Sequence, residues 1–144
     1  YFNVLEHVSI SIDERNCLVI DAPSISEEKV ITNDIVEILN ERQFKWLGRY
    51  DNVINSGGIK LFPEQIETKL ASKIQNRFFI TSQPDAVLGS KVVLVLEGEK
   101  KDIDSSIFNS LEKFERPREI LFVTEFVETE TKKINRIKTL NFSK

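Results

Sequence analysis

The chain has 144 residues, which is enough for one ordinary domain, or for one small domain together with a part of another. Its formal net charge of -3 gives no electrostatic basis for binding nucleic acid, and no apolar run approaches the ~20 residues of a membrane span. Cys17 is the single cysteine, which excludes an intramolecular disulfide and a paired-cysteine metal site and favours a reducing, cytoplasmic setting.

The first 47 residues are predicted to be mainly β structure. Residues 8–12 alternate between apolar and polar side chains, the two-residue period of a half-buried strand. A turn over 14–16 leads into a second strand over 17–20. The β-rich runs over 35–39 and 44–47 flank a polar tetrapeptide, so they are predicted to form a hairpin.

The next twenty residues combine turn chemistry with the start of a helix. Gly57 and Gly58 reach positive φ without a side-chain clash, and the strand-like runs on either side of them predict a tight hairpin. Pro63 suits the first position of a helix, because the amide that it lacks would be unpaired there. The apolar stripe of that helix recurs every four residues, at Ile66, Leu70 and Ile74.

Beyond this helix, strands and helices alternate. The run KVVLVLE over 91–97 predicts a central strand, with further strands over 77–81 and 120–123 and a loop over 83–85. Asp102 or Asp104 is predicted to cap a helix that ends before Pro117. Its helically spaced apolar residues are Ile103, Ile107, Leu111 and Phe114. The predicted fold is therefore α+β, a small sheet packed with helices.

The run GRYDNVINSGGIKLFPEQIE over 48–67 resembles a signature of the acyl- and aryl-CoA synthetases, a family of adenylate-forming ligases. That signature reads Gly-Arg-x-Asp-x-x-Ile-x-x-x-Gly-x-Lys/Arg-x-x-Pro-x-Glu-Ile-Glu, and it straddles the hinge between a large N-terminal and a small mobile C-terminal domain. The resemblance implies that residues 1–48 are the β-rich end of the large domain, 49–52 the hinge and 53–144 the α+β lid. The absence of methionine and the start at Tyr1 suggest a piece of a longer protein.

Thr32-Asn33-Asp34 stands where that family has a Thr-Gly-Asp whose aspartate binds the ribose hydroxyls of ATP. A carboxylate suits this task because it can accept two hydrogen bonds from a cis-diol. From the residues alone, the tripeptide is an Asx-type turn in which Asp34 starts a strand. The resemblance also implies that Arg49 reaches the ribose and that Asp51 is the pivot of the hinge. Taken alone, Arg49 is a solvated strand end.

Gly58 and Lys60 are the candidate residues for binding CoA. By resemblance, the glycine lies against the pantetheine tunnel, where a Cβ would obstruct the thiol, and the lysine lies near CoA or its phosphates as a point charge. From the residues alone, Gly58 is a turn glycine, which is compatible with the CoA-binding role, and the alternative for Lys60 is an exposed strand lysine.

The segment TETKKINR over 129–136 resembles the last signature of the family, Pro-x-Thr-x-x-Gly-Lys-Ile-x-Arg. Aligning Ile134 and Arg136 with it makes Lys133 the lysine that drives adenylation. Lys132 occupies the usual glycine position and is the other candidate for the role. A cation is needed there because attack of a carboxylate on the α-phosphate of ATP concentrates negative charge at the transferring group.

The resemblance implies an ATP-dependent carboxylate–CoA ligase, which uses ATP, CoA and Mg²⁺ and activates a small carboxylic acid. The phosphate loop, the magnesium ligands and the acyl pocket are expected in a missing N-terminal domain, so the isolated chain is expected to be inactive. The runs 51–58 and 111–117 most resemble the o-succinylbenzoate–CoA ligases of menaquinone biosynthesis. The alternatives are a fatty acyl-CoA ligase, a peptide-synthetase adenylation domain and a non-catalytic binding module.

Overall fold

The computed structural model describes residues 1–142. The chain divides into two compact units, the first unit over Tyr1–Val53 and the second unit over Ile54–Lys144. The strands of the first unit form one sheet and those of the second unit form two, and each unit is described by itself. None of the helices among the described residues has the length and apolar composition needed to cross a membrane.

The first unit is a five-stranded antiparallel sheet. The predicted strands and the predicted hairpin are confirmed, although the fourth strand begins earlier than expected. Cys17, Leu18, Val19, Ile35 and Val36 are its buried apolar residues. The five strands are β1 (Phe2–Asn3), β2 (Ser9–Ile12), β3 (Cys17–Asp21), β4 (Val30–Asn40) and β5 (Gln43–Arg49). Their order in the sheet is β1-β5-β4-β3-β2.

Residues 32–34 do not form a turn before a strand, and that prediction was wrong. They lie inside β4, where the pairing with β3 shifts: Ile35 pairs with Cys17 and Ile31 with Val19, which leaves residues 32–34 opposite Leu18 alone. We call this feature the Asp34 bulge. The Thr32 hydroxyl donates to the Leu18 carbonyl at 2.7 Å and accepts from the Asp34 amide at 3.2 Å. The local side-chain bonds of an Asx-type turn are therefore replaced by bonds that hold a bulge within the sheet.

The second unit contains the small sheet that the sequence predicts. It consists of β8 (Phe78–Asp85), β9 (Gly89–Glu97) and β10 (Glu119–Val123), in the strand order β10-β9-β8. The central strand β9 contains the KVVLVLE run; it pairs antiparallel with β8 and parallel with β10. A separate two-stranded hairpin precedes the first helix. The other elements of the second unit are β6 (Ile54–Ser56) and β7 (Ile59–Leu61), which form this hairpin, and the helices α1 (Pro63–Leu70) and α2 (Arg136–Phe142).

Both faces of this sheet are buried, which explains the nearly continuous apolar run of β9. Alternate residues of a strand point to opposite faces, so β8 and β9 contribute to two separate clusters. The first cluster contains Ile54, Leu61, Ile66, Leu70, Ile80, Val92, Leu94, Leu96 and Leu111. The second cluster contains Phe79, Val93, Val95, Val123 and Phe126, with Ile134 and Leu140 packed against it.

Two local predictions for this unit were wrong. Residues 83–85 are not a loop but the end of β8, and Pro84 is accepted there because β8 is an edge strand. The helix predicted over 103–114 is two short 3-10 turns, at Ser105–Phe108 and Lys113–Glu115. Asp104 does cap the first turn by accepting from the Ser106 amide at 2.9 Å. The serine and asparagine residues in this stretch compete for backbone hydrogen bonds, so helical spacing of apolar residues was not sufficient.

Candidate active-site residues

Asp34 and Arg49, which are fifteen residues apart in the chain, lie side by side on β4 and β5. Arg49 Nη1 donates to Asp34 Oδ1 at 2.9 Å, and Trp46 Nε1 donates to the same oxygen at 3.2 Å. The side chains of Asp34 and Arg49 are 30% and 47% exposed, so solvent screens the ion pair and it adds little to stability. Asp34 Oδ2 accepts no hydrogen bond from the part of the chain that the structure describes.

A shallow cavity of about 270 Å³ lies beside the Asp34 carboxylate. The rings of Phe2 and Phe44 stack at its wall with their centroids 5.4 Å apart. The other lining residues are Leu18 and Trp46. Asp34 is therefore a charged residue at the edge of a mainly apolar surface depression.

The predicted hinge is a 3-10 turn at Tyr50–Asn52 that directly follows Arg49. The Val53 amide donates to the Tyr50 carbonyl at 3.3 Å and closes the turn. The Asp51 side chain is exposed and makes no hydrogen bond or ion pair with any other described residue. The boundary between the two compact units follows at Val53. The pivot role of Asp51 remains a prediction.

The Gly57–Gly58 hairpin is present between β6 and β7 as predicted. Both glycines have positive φ, +58° and +81°, which is the requirement of the two-residue turn that best matches strand twist. No atom lies within 4 Å of a Cβ built on Gly58, so this side of the hairpin is open space. Lys60 lies on β7, exposed and without an ion pair among the described residues. Gly58 and Lys60 are therefore exposed residues of one hairpin, while their CoA-binding roles remain predictions.

Lys133 lies in a small hairpin over residues 128–134, which we call the Lys133 hairpin. Glu128 and Ile134 are bridged at its base, and the Thr129 amide donates to the Lys133 carbonyl at 2.7 Å. Lys132 has φ +63°, the left-handed conformation that ends a three-residue hairpin loop. The position that the family fills with glycine thus keeps a glycine-like backbone here although a lysine occupies it. The side chains of Lys132 and Lys133 are both exposed.

Arg136 holds the end of the Lys133 hairpin to the body of the second unit. Its guanidinium makes a bidentate pair with Glu67 of α1, at 2.7 and 2.8 Å, and also donates to the Ile80 carbonyl of β8 at 3.0 Å. The guanidinium lies 5.3 Å from the centre of the Phe79 ring. This pair was not predicted from the sequence. The available signal was that Glu67 and Arg136 each end one of the two signatures.

Two further contacts fix the Lys133 hairpin. Thr139 of α2 is fully buried, and its hydroxyl accepts from the Val127 amide at 3.0 Å. At the base of the hairpin, Arg77 pairs with Glu128 at 2.9 Å and with Glu97 at 3.5 Å. An exposed lysine is in this way carried on a loop whose ends are tied to a rigid sheet.

Three comparisons with known proteins bear on these residues. No family model matches the chain. The 3,4-dihydroxybenzoate–[aryl-carrier protein] ligase of Bacillus anthracis is 28% identical over 138 residues, which are 93% of this chain and 33% of that protein. An acyl-CoA synthetase (AMP-forming)/AMP-acid ligase II-like protein from Dyadobacter fermentans is 37% identical, with a TM-score of 0.64 over 97% of this chain and 43% of that one. The chain matches a fragment of an adenylate-forming acyl- or aryl-CoA synthetase.

A more distant solved structure has the same fold. Wild-type E. coli MenE, solved with an analogue of OSB-AMS, has a TM-score of 0.71 and 22% identity over 97% of this chain and 35% of that one. At this identity the likeness concerns the fold alone. The chain spans about a third of the length of the B. anthracis relative.

The structure groups the predicted site residues in three places. Asp34 and Arg49 meet on the first sheet, Gly58 and Lys60 share the β6–β7 hairpin, and Lys133 lies on its own hairpin. No group of three or more His, Cys, Asp or Glu side chains within residues 1–142 is arranged to hold a metal ion.

Proposed function

We propose that this chain is the C-terminal part of an ATP-dependent carboxylate–CoA ligase, which forms an acyl-adenylate and then an acyl-CoA. The observation that carries the proposal is the pairing of Asp34 with Arg49 on adjacent strands, with Asp34 Oδ2 accepting no hydrogen bond within residues 1–142. The relatives support the same reaction class, since the Dyadobacter protein is named as an AMP-forming synthetase and the Bacillus protein as a ligase.

In the first half-reaction, Asp34 Oδ2 accepts hydrogen bonds from the ribose hydroxyls of ATP and Arg49 lies beside the same sugar. A carboxylate oxygen of the acid forms a bond to the α-phosphorus while the bond to the bridging oxygen breaks and pyrophosphate leaves. The ammonium of Lys133 offsets the charge that builds up at this centre. Magnesium would accompany ATP and be held by residues outside this sequence.

In the second half-reaction, the thiol of CoA forms a bond to the acyl carbon of the adenylate, and AMP leaves. We propose that the second unit turns about Asp51 between the two steps and so presents Gly58 and Lys60 in place of Lys133. The open space beside Gly58 supports a role next to a narrow thiol-bearing chain, because a side chain at that position would enter this space.

For the acid, we propose o-succinylbenzoate, which makes the enzyme a ligase of menaquinone biosynthesis acting in the cytoplasm. Support comes from the runs over 51–58 and 111–117, while MenE adds only a shared fold. The alternatives are a fatty acid, or an amino or aryl acid transferred to a carrier protein. The Bacillus relative favours the last of these, since its name gives an aryl-carrier protein as acceptor.

The test is acid-dependent exchange of pyrophosphate into ATP by the full-length protein, with o-succinylbenzoate, fatty acids, aryl acids and amino acids compared. Exchange with o-succinylbenzoate alone supports the specific proposal, and exchange with another class replaces that substrate but keeps the reaction. Asp34→Ala should raise KM for ATP by about tenfold or more, because it removes the two charge-assisted hydrogen bonds proposed between the carboxylate and the ribose hydroxyls. Asp21→Ala, on β3 of the same sheet, is the matched control.

A protein that exchanges pyrophosphate with none of these acids would favour the non-catalytic binding module. The isolated 144-residue chain should show no exchange above that of its own Lys133→Ala variant, because the phosphate loop and acyl pocket are expected elsewhere.

A further inference from the structure

We propose that Arg15 is a positioning residue for nucleotide binding: it holds the two backbone segments that carry Asp34 and Arg49. The inference rests on the proposed function, in which this pair binds the ribose of ATP. Arg15 itself lies on the turn between β2 and β3, and no motif described above includes it.

The Arg15 guanidinium uses all three of its nitrogens. Nη1 donates to Asn33 Oδ1 at 2.9 Å, and Nη2 donates to the Thr32 carbonyl at 3.1 Å. Nε and Nη2 also donate to Asp13 Oδ2, at 3.1 and 2.9 Å. One side chain therefore ties the β2–β3 turn to the Asp34 bulge.

The bulge needs such a tie. Three residues of β4 face one residue of β3, so the regular ladder of backbone hydrogen bonds is interrupted there. Arg15 supplies a partner for the Thr32 carbonyl and for the Asn33 side chain, the two positions immediately before Asp34. Fixing the chain at 32 and 33 fixes the direction in which Asp34 leaves the sheet.

Arg15 is itself held firmly. Asp13 Oδ1 accepts from the amides of Arg15 and Cys17, at 2.9 and 3.0 Å, while Oδ2 takes the guanidinium. Burial alone would raise the pKa of Asp13, but the hydrogen bonds from Cys17 and Arg15 bring it below its ordinary value. Asp13 stays ionised at neutral pH, so the guanidinium has a fixed counter-charge and a fixed direction.

On its other side, the guanidinium lies 4.9 Å from the centre of the Tyr50 ring, a cation–π contact. Tyr50 directly follows Arg49 in the chain. Arg15 thus contacts the segment before Asp34 and the residue after Arg49. This arrangement is typical of a residue that positions the side chains of a binding site and does not itself bind the ligand.

The experiment measures discrimination between ATP and 2′,3′-dideoxy-ATP by the full-length protein in pyrophosphate exchange. The quantity is the ratio of kcat/KM for the two nucleotides, in the wild type and in Arg15→Met. We expect the ratio to fall by about tenfold in the variant, because a carboxylate that is no longer aimed loses its preference for the hydroxyls. Activity with the dideoxy nucleotide should change little.

Arg42→Met is the matched control, because the Arg42 guanidinium also bridges segments of the first unit but binds the Leu5 and Val8 carbonyls, away from the bulge. Its ratio should equal that of the wild type. Asn33→Ala is a second variant, which removes one partner of Arg15 and should lower the ratio in the same direction by a smaller factor. It keeps the test available if Arg15→Met fails to fold.

An unchanged ratio in both Arg15→Met and Asn33→Ala would overturn the inference. So would equal losses with both nucleotides, since that is the result of a general loss of stability. If the wild type exchanges pyrophosphate and strongly prefers ATP, the proposed function stands whatever Arg15 does. If the wild type shows no exchange with any acid, the proposed function fails, and the inference fails with it.

Discussion

The two units of this chain hold their predicted functional residues in different ways. In the first unit, large apolar side chains such as Leu5 and Ile31 are 74% and 67% exposed, and Asp34 lies in a bulge that polar contacts hold in place. In the second unit, the central strand is buried on both faces, and the exposed Lys133 is carried on a hairpin tied to that core. In the first unit the functional segment is held by hydrogen bonds at a bulge in a partly exposed sheet, whereas in the second unit ion pairs and hydrogen bonds hold the hairpin to a packed core.

Truncating a core side chain tests this comparison most strongly. Leu94 is fully buried in β9, so Leu94→Ala should lower the free energy of unfolding by ~3 kcal/mol. Leu39, on β4 of the first unit, is 47% exposed, and Leu39→Ala should cost under about 1 kcal/mol. Urea denaturation followed by circular dichroism measures both. Equal losses would show that the two units do not differ in packing as described.

Breaking the tie of the Lys133 hairpin should have the next largest effect. Arg136→Met leaves Glu67 without its bidentate partner in a partly buried site, and we expect a loss of ~2 kcal/mol in unfolding free energy. Adenylation by the full-length protein should fall more than thioester formation does. The control is Arg116→Met, an exposed arginine of the same unit. A variant as stable as this control would mean that packing alone holds the hairpin.

A smaller effect is expected at the left-handed residue of the same hairpin. Lys132→Gly removes the strain of a side chain at φ +63° but adds freedom to the unfolded chain, so a net gain of about 0.5 kcal/mol is expected. The melting temperature from calorimetry measures it, with Lys138→Gly, within α2, as the contrasting variant that should be destabilised. A fall in melting temperature for Lys132→Gly would show that the lysine side chain stabilises the loop.

The smallest expected effect concerns acid stability. The amides of Leu88 and Val87 donate to Asp85 and hold the pKa of this carboxyl below its ordinary value of 3.8. A carboxyl whose pKa is lower in the folded state stabilises the protein above its unfolded pKa, and this stabilisation is lost as pH falls through the folded pKa. Asp85→Asn should therefore flatten the dependence of unfolding free energy on pH below about pH 4 and change little at pH 7. An unchanged acid profile would contradict this.

Features that depend on neighbouring residues in the chain could be predicted from the sequence. The KVVLVLE run predicted a central strand, and Gly57 and Gly58 predicted a tight hairpin, because both depend on local conformational preference and burial. The prediction of a helix over 103–114 was wrong. It used only the helical spacing of apolar residues, whereas the serine and asparagine residues of this stretch disfavour a helix.

Features that depend on distant residues could not be predicted in this way. The Asp34 bulge exists only once β3 and β4 are paired, so a strand register unknown at the sequence level decides it. Arg136 meets Glu67 across sixty-nine positions, and Arg15 meets Asn33 across eighteen. No local periodicity links such pairs. The resemblance supplied the candidate residues, and the pairing of strands supplied the contacts that hold them.

We propose above all that Lys133 serves adenylation and is not needed for the thioester step. The most direct test measures both half-reactions of the full-length protein, with a preformed acyl-adenylate for the second, in Lys133→Ala and in Lys132→Ala. We predict that Lys133→Ala lowers adenylate formation by about 10² to 10³ while thioester formation stays within a few-fold of wild type, and that Lys132→Ala changes neither greatly. Equal loss of both half-reactions in Lys133→Ala, or a larger loss of adenylation in Lys132→Ala, would contradict it.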